Sequence, residues 1–135
     1  GLKRVPRSEV AAYGVVEPVG EPDASGLVAI AGMVEKPPVE TAPSDLIIIG
    51  RYVLTPDVFD ALEKVEPGTS GEIQLTDALR IQAASGPFHG VVGDIRRFDT
   101  GTPFGWLTAV VELALDDERV GDRFRDWLDQ RTRRD

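Results

Sequence analysis

The stretch "LIIIGRYVLTPDVFDAL", Leu46 to Leu62, changes its period in the middle. Leu46 to Leu54 is an apolar run of strand length, rich in isoleucine, which suits a strand covered on both faces. From Thr55 the signals become helical. Thr55 reads as an N-cap, Pro56 takes the first helical position and Asp57 places an acid in the first turn, near the positive end of the helix dipole. Val58, Phe59, Leu62 and Val65 then mark one face at helical spacing, and Pro67-Gly68 stops the helix. A strand passing directly into a helix points to layered α/β or α+β architecture.

Upstream, "YGVVEPVG" and "LVAIAGMVEK" flank the turn-like "EPDASG" and read as a hairpin. Pro37, Pro38 and Pro43 hold the following loop extended. Downstream, Thr69 and Glu72 have the spacing of a capping box ahead of a helix over about 72–84. Phe88 to Phe98 returns to strand texture with Gly93-Asp94 as a tight turn. Thr102-Pro103 then opens a third helix carrying Phe104, Leu107, Val110, Val111 and Ala114. A fourth helix, about Asp122 to Arg133, shows Phe124, Trp127, Leu128 and Arg131 amid the mixed charge of a solvated face. Helix therefore dominates about 103–133. A central strand needs neighbours on both edges, so the small number of long strands implies that the chain is part of a larger sheet.

At 135 residues, 41% of them hydrophobic, one domain over 1–135 is the expectation. No run approaches the ~18 apolar residues that span a bilayer, and "GLKRVPRSEV" lacks the apolar segment of a secretory signal. The chain reads as soluble, with no membrane partner. The absence of cysteine excludes disulfides and thiolate metal sites, fits a reducing cytoplasm and leaves oxygen ligands for any metal. A net charge of -8 disfavours nucleic acid as a partner.

The chemistry is concentrated in "GMVEKPPVE", Gly32 to Glu40. A carboxylate at a strand end, Glu35, accepts hydrogen bonds from vicinal hydroxyls, and a neighbouring ammonium, Lys36, is a compact charge suited to a phosphate oxygen. A sugar phosphate would use both. By itself the tripeptide is better explained as a surface ion pair, or as two solvated charges ahead of a loop. His89, the single histidine, reads as a satisfied strand residue. Trp106 and Trp127 read as core or subunit-contact residues.

Four ordered blocks change the weighting. "KRVPRSEVAAYGVVE", "GMVEKPPVETAPSDLIIIGRYVLTPDVFDAL", "PGTSGEIQLTDAL" and "RRFDTGTPFGWLTAVVELAL" together resemble the second half of bacterial UTP-glucose-1-phosphate uridylyltransferases, which are sugar nucleotidyltransferases. The resemblance covers about Val5 to Leu128. It implies the carboxy-terminal half of a Rossmann-like, GT-A-like α/β fold, with a mixed sheet flanked by helices. It also implies transfer of a uridylyl group from UTP to glucose 1-phosphate, giving UDP-glucose and pyrophosphate.

By the same resemblance, Gly14 of Tyr13-Gly14 lets the main chain approach the hexose, Glu35 binds sugar hydroxyls and Lys36 binds the sugar phosphate. Gly50, Arg51 and Tyr52 match a strand beside the sugar pocket and are read as support. Asp99 matches an aspartate near a magnesium ion, although "DTGT" stands where the strict uridylyltransferases more often have "DIGD" and thymidylyltransferase relatives share the form seen here. "GEIQLTDAL" is assigned to the scaffold, with Thr69, Glu72 and Asp77 as capping and packing residues. The family's glycine-rich triphosphate loop and its second acidic metal motif have no counterpart in this sequence. The implied partners are therefore the amino-terminal half of the same enzyme and, at full length, further copies in a homo-oligomer. A non-catalytic sugar-phosphate-binding or subunit-association module is the competing reading.

Overall fold

The computed structural model describes residues 1–68 and 71–133. They fall into two compact units, Gly1–Ile95 and Arg96–Asp135. The first unit is built on five strands: β1 (Leu2–Arg4), β2 (Gly14–Val19), β3 (Leu27–Glu35), β4 (Leu46–Ile48) and β5 (His89–Val91). Their order is β1-β4-β2-β3-β5, and every pairing between strands is antiparallel. A parallel bridge from Leu2 to Val92, with the Gly93 amide donating to the Leu2 carbonyl at 3.1 Å, joins the two edges and curls the sheet. The α/β expectation holds, with the parallel component confined to that bridge.

Alternation along the strands explains where the core lies. Val15 and Ile47 pack with Val10 and Ala42, whereas Val16 and Leu46 pack with Leu2, Val28, Ile30, Met33, Val58 and Leu79. Successive residues thus serve opposite faces of the sheet. Leu46 and Ile47 are 1% and 0% exposed, so β4 is covered on both faces as its isoleucine-rich run implies. Its neighbours β1 and β2 both come from this chain, and the first of them was not marked by any sequence pattern. On the second face lie α1 (Val58–Leu62) and α2 (Leu75–Ser85), packed on each other, with α2 also against β3.

Several element boundaries differ from expectation. The β4 strand ends at Ile48, not Leu54, because the chain turns at Gly50, whose φ is +71°, a conformation that only glycine adopts freely. The segment Thr55 to Asp57 forms a turn ahead of α1: the Thr55 carbonyl accepts the Val58 amide, and the Thr55 hydroxyl bonds the Asp57 carboxylate instead of capping a helix amide. The helix ends at Leu62 and leaves Phe59 exposed. The second helix starts at Leu75, three residues later than expected, with no side-chain cap. Thr69, half of the expected capping box, lies outside the described residues, and Glu72 instead accepts a 3.3 Å bond from the Gln74 side chain. Phe88 to Phe98 contributes one strand, β5, and among the described residues Gly93-Asp94 does not close a hairpin.

The second unit holds α3 (Pro103–Asp116) and α4 (Gly121–Thr132), packed on each other. The start of α3 is as expected: the Thr102 hydroxyl accepts the Gly105 amide at 3.1 Å, with Pro103 in the first turn. Arg96 bridges to Glu112 at 2.5 Å and to Asp116, and its guanidinium lies over the Phe98 ring. Neither tryptophan is in a core; Trp106 and Trp127 are half-exposed, and Trp127 stacks on Phe124 with ring centroids 5.8 Å apart. Among the described residues no helix is long and apolar enough to cross a membrane.

Candidate functional site

The last residue of β3 is Glu35, and its Cα partner across the ladder is Gly14, the first residue of β2. Because α2 packs on β3, its second residue, Thr76, arrives beside this strand end. The Thr76 hydroxyl donates to Glu35 Oε2 at 2.6 Å, and the threonine is 7% exposed. A short bond to an ionised acceptor in a partly buried place is of the stronger kind.

Gly14 has a steric reason to lack a side chain. A Cβ there would stand 3.0 Å from Glu35 Oε2, 3.2 Å from Ile48 Cδ1 and 3.5 Å from Thr76 Oγ1. The strand bulge is elsewhere, between Glu17 and Pro18, so Gly14 is not a bulge residue. The glycine leaves the room that the carboxylate and the threonine hydroxyl occupy.

Tyr52 completes the surroundings of the carboxylate. Burial, and secondly the negative charge of Glu35, push its phenol above the ordinary tyrosine range. It therefore remains a neutral hydroxyl near the carboxylate at physiological pH. Of the "GRY" residues, Gly50 makes a bend after β4 and Arg51 and Tyr52 lie in no regular element, not in the strand expected from the resemblance.

Lys36 is, among the described residues, the one non-glycine residue at positive φ, +45°. A residue before proline is normally held extended, so this conformation is unusual twice over, and left-handed backbone costs a side-chain-bearing residue about 1–3 kcal/mol. Its amide still closes the ladder, donating to the Tyr13 carbonyl at 3.0 Å. The break falls at Lys36 itself, one residue before the prolines. Pleat alternation ends there, so neighbouring Glu35 and Lys36 are not forced to opposite faces of the sheet. The ammonium is on an exposed residue and makes no hydrogen bond or ion pair among the described residues. The surface ion pair between Glu35 and Lys36 is absent.

Asp99 belongs to the second unit. Its Oδ1 accepts the Gly101 amide at 3.0 Å, an Asx turn, and its Oδ2 lies 3.9 Å from the Arg97 guanidinium. No group of three or more histidines, aspartates or glutamates placed to hold a metal occurs among the described residues. Asp99 is exposed, and the long ion pair to Arg97 is the contact its Oδ2 makes among the described residues.

The structure thus brings together Gly14, Glu35 and Lys36, and adds Thr76 and Tyr52. Thr76 was missed because "GEIQLTDAL" reads as scaffold; the signal was a hydroxyl on the helix face that packs on β3. Asp77, half-buried in the first turn of α2, pairs with Arg80 at 3.4 Å. His89 is exposed on β5 and borders an open groove of about 450 Å³ that Thr55, Asp57 and Gln82 also line.

Residues 2–115 match the nucleotidyl transferase family. The chain is 44% identical over 133 residues to the UTP-glucose-1-phosphate uridylyltransferase of Streptococcus pneumoniae, an alignment that covers 93% of this chain and 42% of that protein. A UTP-glucose-1-phosphate uridylyltransferase of Streptococcus pyogenes is 38% identical over 127 residues, covering 94% of this chain and 41% of that one. The solved UDP-glucose pyrophosphorylase complexed with UDP-glucose matches with a TM-score of 0.73 and 42% identity, over 80% of this chain and 40% of that chain. The UTP-bound UGPase from Acinetobacter baumannii matches with a TM-score of 0.81 and 34% identity, over 94% and 43%. The chain spans about two-fifths of the length of the curated relatives it matches.

Proposed function

The chain belongs to the nucleotidyl transferase family, and from that premise we propose that it forms the sugar-phosphate side of a site that transfers a uridylyl group from UTP to glucose 1-phosphate. The observation that carries this reading is the end of β3: a carboxylate anchored through one oxygen, followed at once by an uncommitted ammonium on strained backbone. Glu35 accepts hydrogen bonds from sugar hydroxyls, Lys36 holds the phosphate of the hexose 1-phosphate, and Gly14 serves the sugar through the room it leaves for the Glu35 carboxylate. The names of the relatives support the nucleotide and the sugar.

In this reaction a phosphate oxygen of glucose 1-phosphate forms a bond to the α-phosphorus of UTP, the bond from that phosphorus to the bridging oxygen breaks, and pyrophosphate leaves with the electron pair. The nucleophile is already ionised at neutral pH, so no side chain has to remove a proton. The chain's task is positioning: Glu35 fixes the ring and Lys36 aligns and partly neutralises the attacking phosphate. A bound magnesium ion supplies charge neutralisation at the phosphates, and Asp99 is the carboxylate this chain offers it. The triphosphate side comes from the remaining length of the protein, so the 135 residues by themselves are inactive. The full-length protein works in the cytoplasm, as a homo-oligomer.

The test uses the full-length protein that carries this sequence. Glu35→Gln and Lys36→Ala are each expected to lower kcat/KM for glucose 1-phosphate by about tenfold or more, since a charged hydrogen bond is lost. Values within about twofold of the parent would remove the sugar-phosphate assignment. Asp99→Asn is expected to raise the magnesium concentration needed for half-maximal rate, and UTP to be preferred over dTTP. A preference for dTTP would transfer the assignment to thymidylyl transfer.

A further inference from the structure

A carboxylate that recognises a pair of hydroxyls has to be held at a fixed rotation, because its acceptor lone pairs lie in one plane. Glutamate has three side-chain torsions and does not hold that rotation alone. The 2.6 Å bond from Thr76 supplies the missing constraint. A hydroxyl has one proton to donate, so Thr76 occupies part of Oε2 and leaves Oε1 uncommitted among the described residues. Thr76 is itself fixed: it is buried, lies in the first turn of an eleven-residue helix, and that helix packs on the strand carrying Glu35. The same helix start is a favourable place for a negative charge. Gly14 clears the space beside the carboxylate, since a Cβ there would stand 3.0 Å from Oε2 and crowd it.

We propose that Thr76 is a positioning residue for sugar recognition: it sets the orientation of the Glu35 carboxylate so that Oε1 meets the hydroxyls of the hexose 1-phosphate. This rests on the sugar-phosphate reading of Glu35. Thr76 does not touch the reacting phosphorus, and its effect belongs to the binding of one substrate.

The test compares Thr76→Val, Thr76→Ser, Glu35→Gln and the Thr76→Val/Glu35→Gln double variant in the full-length protein. KM for glucose 1-phosphate, KM for UTP, kcat and thermal midpoint are measured for each. Thr76→Val keeps the shape and loses the donor, so KM for glucose 1-phosphate is expected to rise about tenfold with KM for UTP unchanged. Thr76→Ser keeps the donor and is expected to stay within about threefold of the parent. The double variant is expected to be no worse than Glu35→Gln alone, because both changes act through one carboxylate. If Glu35→Gln impairs glucose 1-phosphate binding while Thr76→Val leaves it alone, or if the two effects add fully, Thr76 does not position Glu35. Equal rises in both KM values, tracking a lowered thermal midpoint in Thr76→Ser as well, would reduce it to a packing residue. If Glu35→Gln itself has no effect, the sugar-phosphate reading fails and the proposal fails with it. Should Thr76→Val not fold, Thr76→Ala is read against Thr76→Ser in the same way.

Discussion

Lys36 carries a side chain where the backbone favours glycine, at φ +45°. Removing the Cβ relieves a left-handed conformation worth about 1–2 kcal/mol, against about 0.5–1 kcal/mol lost through the freer unfolded chain. Lys36→Gly is therefore expected to be more stable than Lys36→Ala by about 0.5–1 kcal/mol, although both lose the ammonium. Urea midpoints of the two full-length variants decide it, and an alanine variant at least as stable as the glycine one would show that the strain is not there. At Tyr52 the raised phenol pKa comes first from burial and then from Glu35. The folded state holds its proton more tightly than the unfolded chain, so this group's contribution is complete below about pH 10 and is lost as pH rises through the raised value. With Tyr13 replaced by Phe, ultraviolet titration should find Tyr52 ionising above that ordinary value, and Glu35→Gln should bring it part of the way back. An unchanged titration in Glu35→Gln would separate the two side chains. At this scale the residue types alone favour two surface charges ahead of a loop, and it is the resemblance of the neighbouring blocks that marks Glu35, Lys36 and Gly14 as candidates. The positive φ was not legible, because nothing in "EKPP" replaces lysine by the glycine that such backbone usually demands.

At the scale of elements, the β2–β3 hairpin was legible because period-two alternation and a turn sequence coincide. Its turn is tied by Asp23, whose carboxylate accepts the Ser25 amide at 2.8 Å, the Ser25 hydroxyl at 2.6 Å and the Leu27 amide at 3.0 Å. The Ser25 hydroxyl first, then the Leu27 and Ser25 amides, hold this carboxyl below the usual range. Its contribution is therefore present above about pH 4 and disappears as pH falls through the lowered value. Asp23→Ala is expected to destabilise the protein at pH 7, with the gap from the parent closing in strongly acidic solution; a gap that persists undiminished there would assign the effect to something other than the ionised carboxylate. The β1 strand was hidden because Leu2-Lys3-Arg4 has no periodicity of its own and becomes a strand only by pairing with β4. Conversely, Leu46 to Leu54 looked longer than the strand it forms, since hydrophobicity continues through Gly50 while the backbone turns away. Thr76 shows the same limit at the site: its helix was read, but the contact to Glu35 joins positions 41 residues apart and depends on how α2 docks on β3.

For the whole molecule, the amount of apolar surface in the second unit sets the last expectation. In α3 the one buried residue is Ala109, whereas Phe104 is 81% exposed and Trp106, Val110 and Leu113 are 54%, 44% and 56% exposed. The last three recur at i, i+4 and i+7 and form a stripe on one helix face. Sequence periodicity placed α3 correctly as a helix and marked Phe104, Leu107, Val110, Val111 and Ala114 as its apolar positions, yet periodicity tells which positions are apolar and not whether anything covers them. A contiguous apolar stripe of this kind in water favours association. The 135-residue polypeptide prepared alone is expected to show no uridylyl transfer, to bind a hydrophobic dye, and to grow in apparent mass with concentration by light scattering. Val110→Glu with Leu113→Glu puts two charges in the stripe and should lower both dye binding and apparent mass, while the far-ultraviolet helical signal is kept. Dye binding and mass that are unaffected by these two charges would locate the adhesive surface away from α3, for example at exposed Val53 or Ile73 in the first unit.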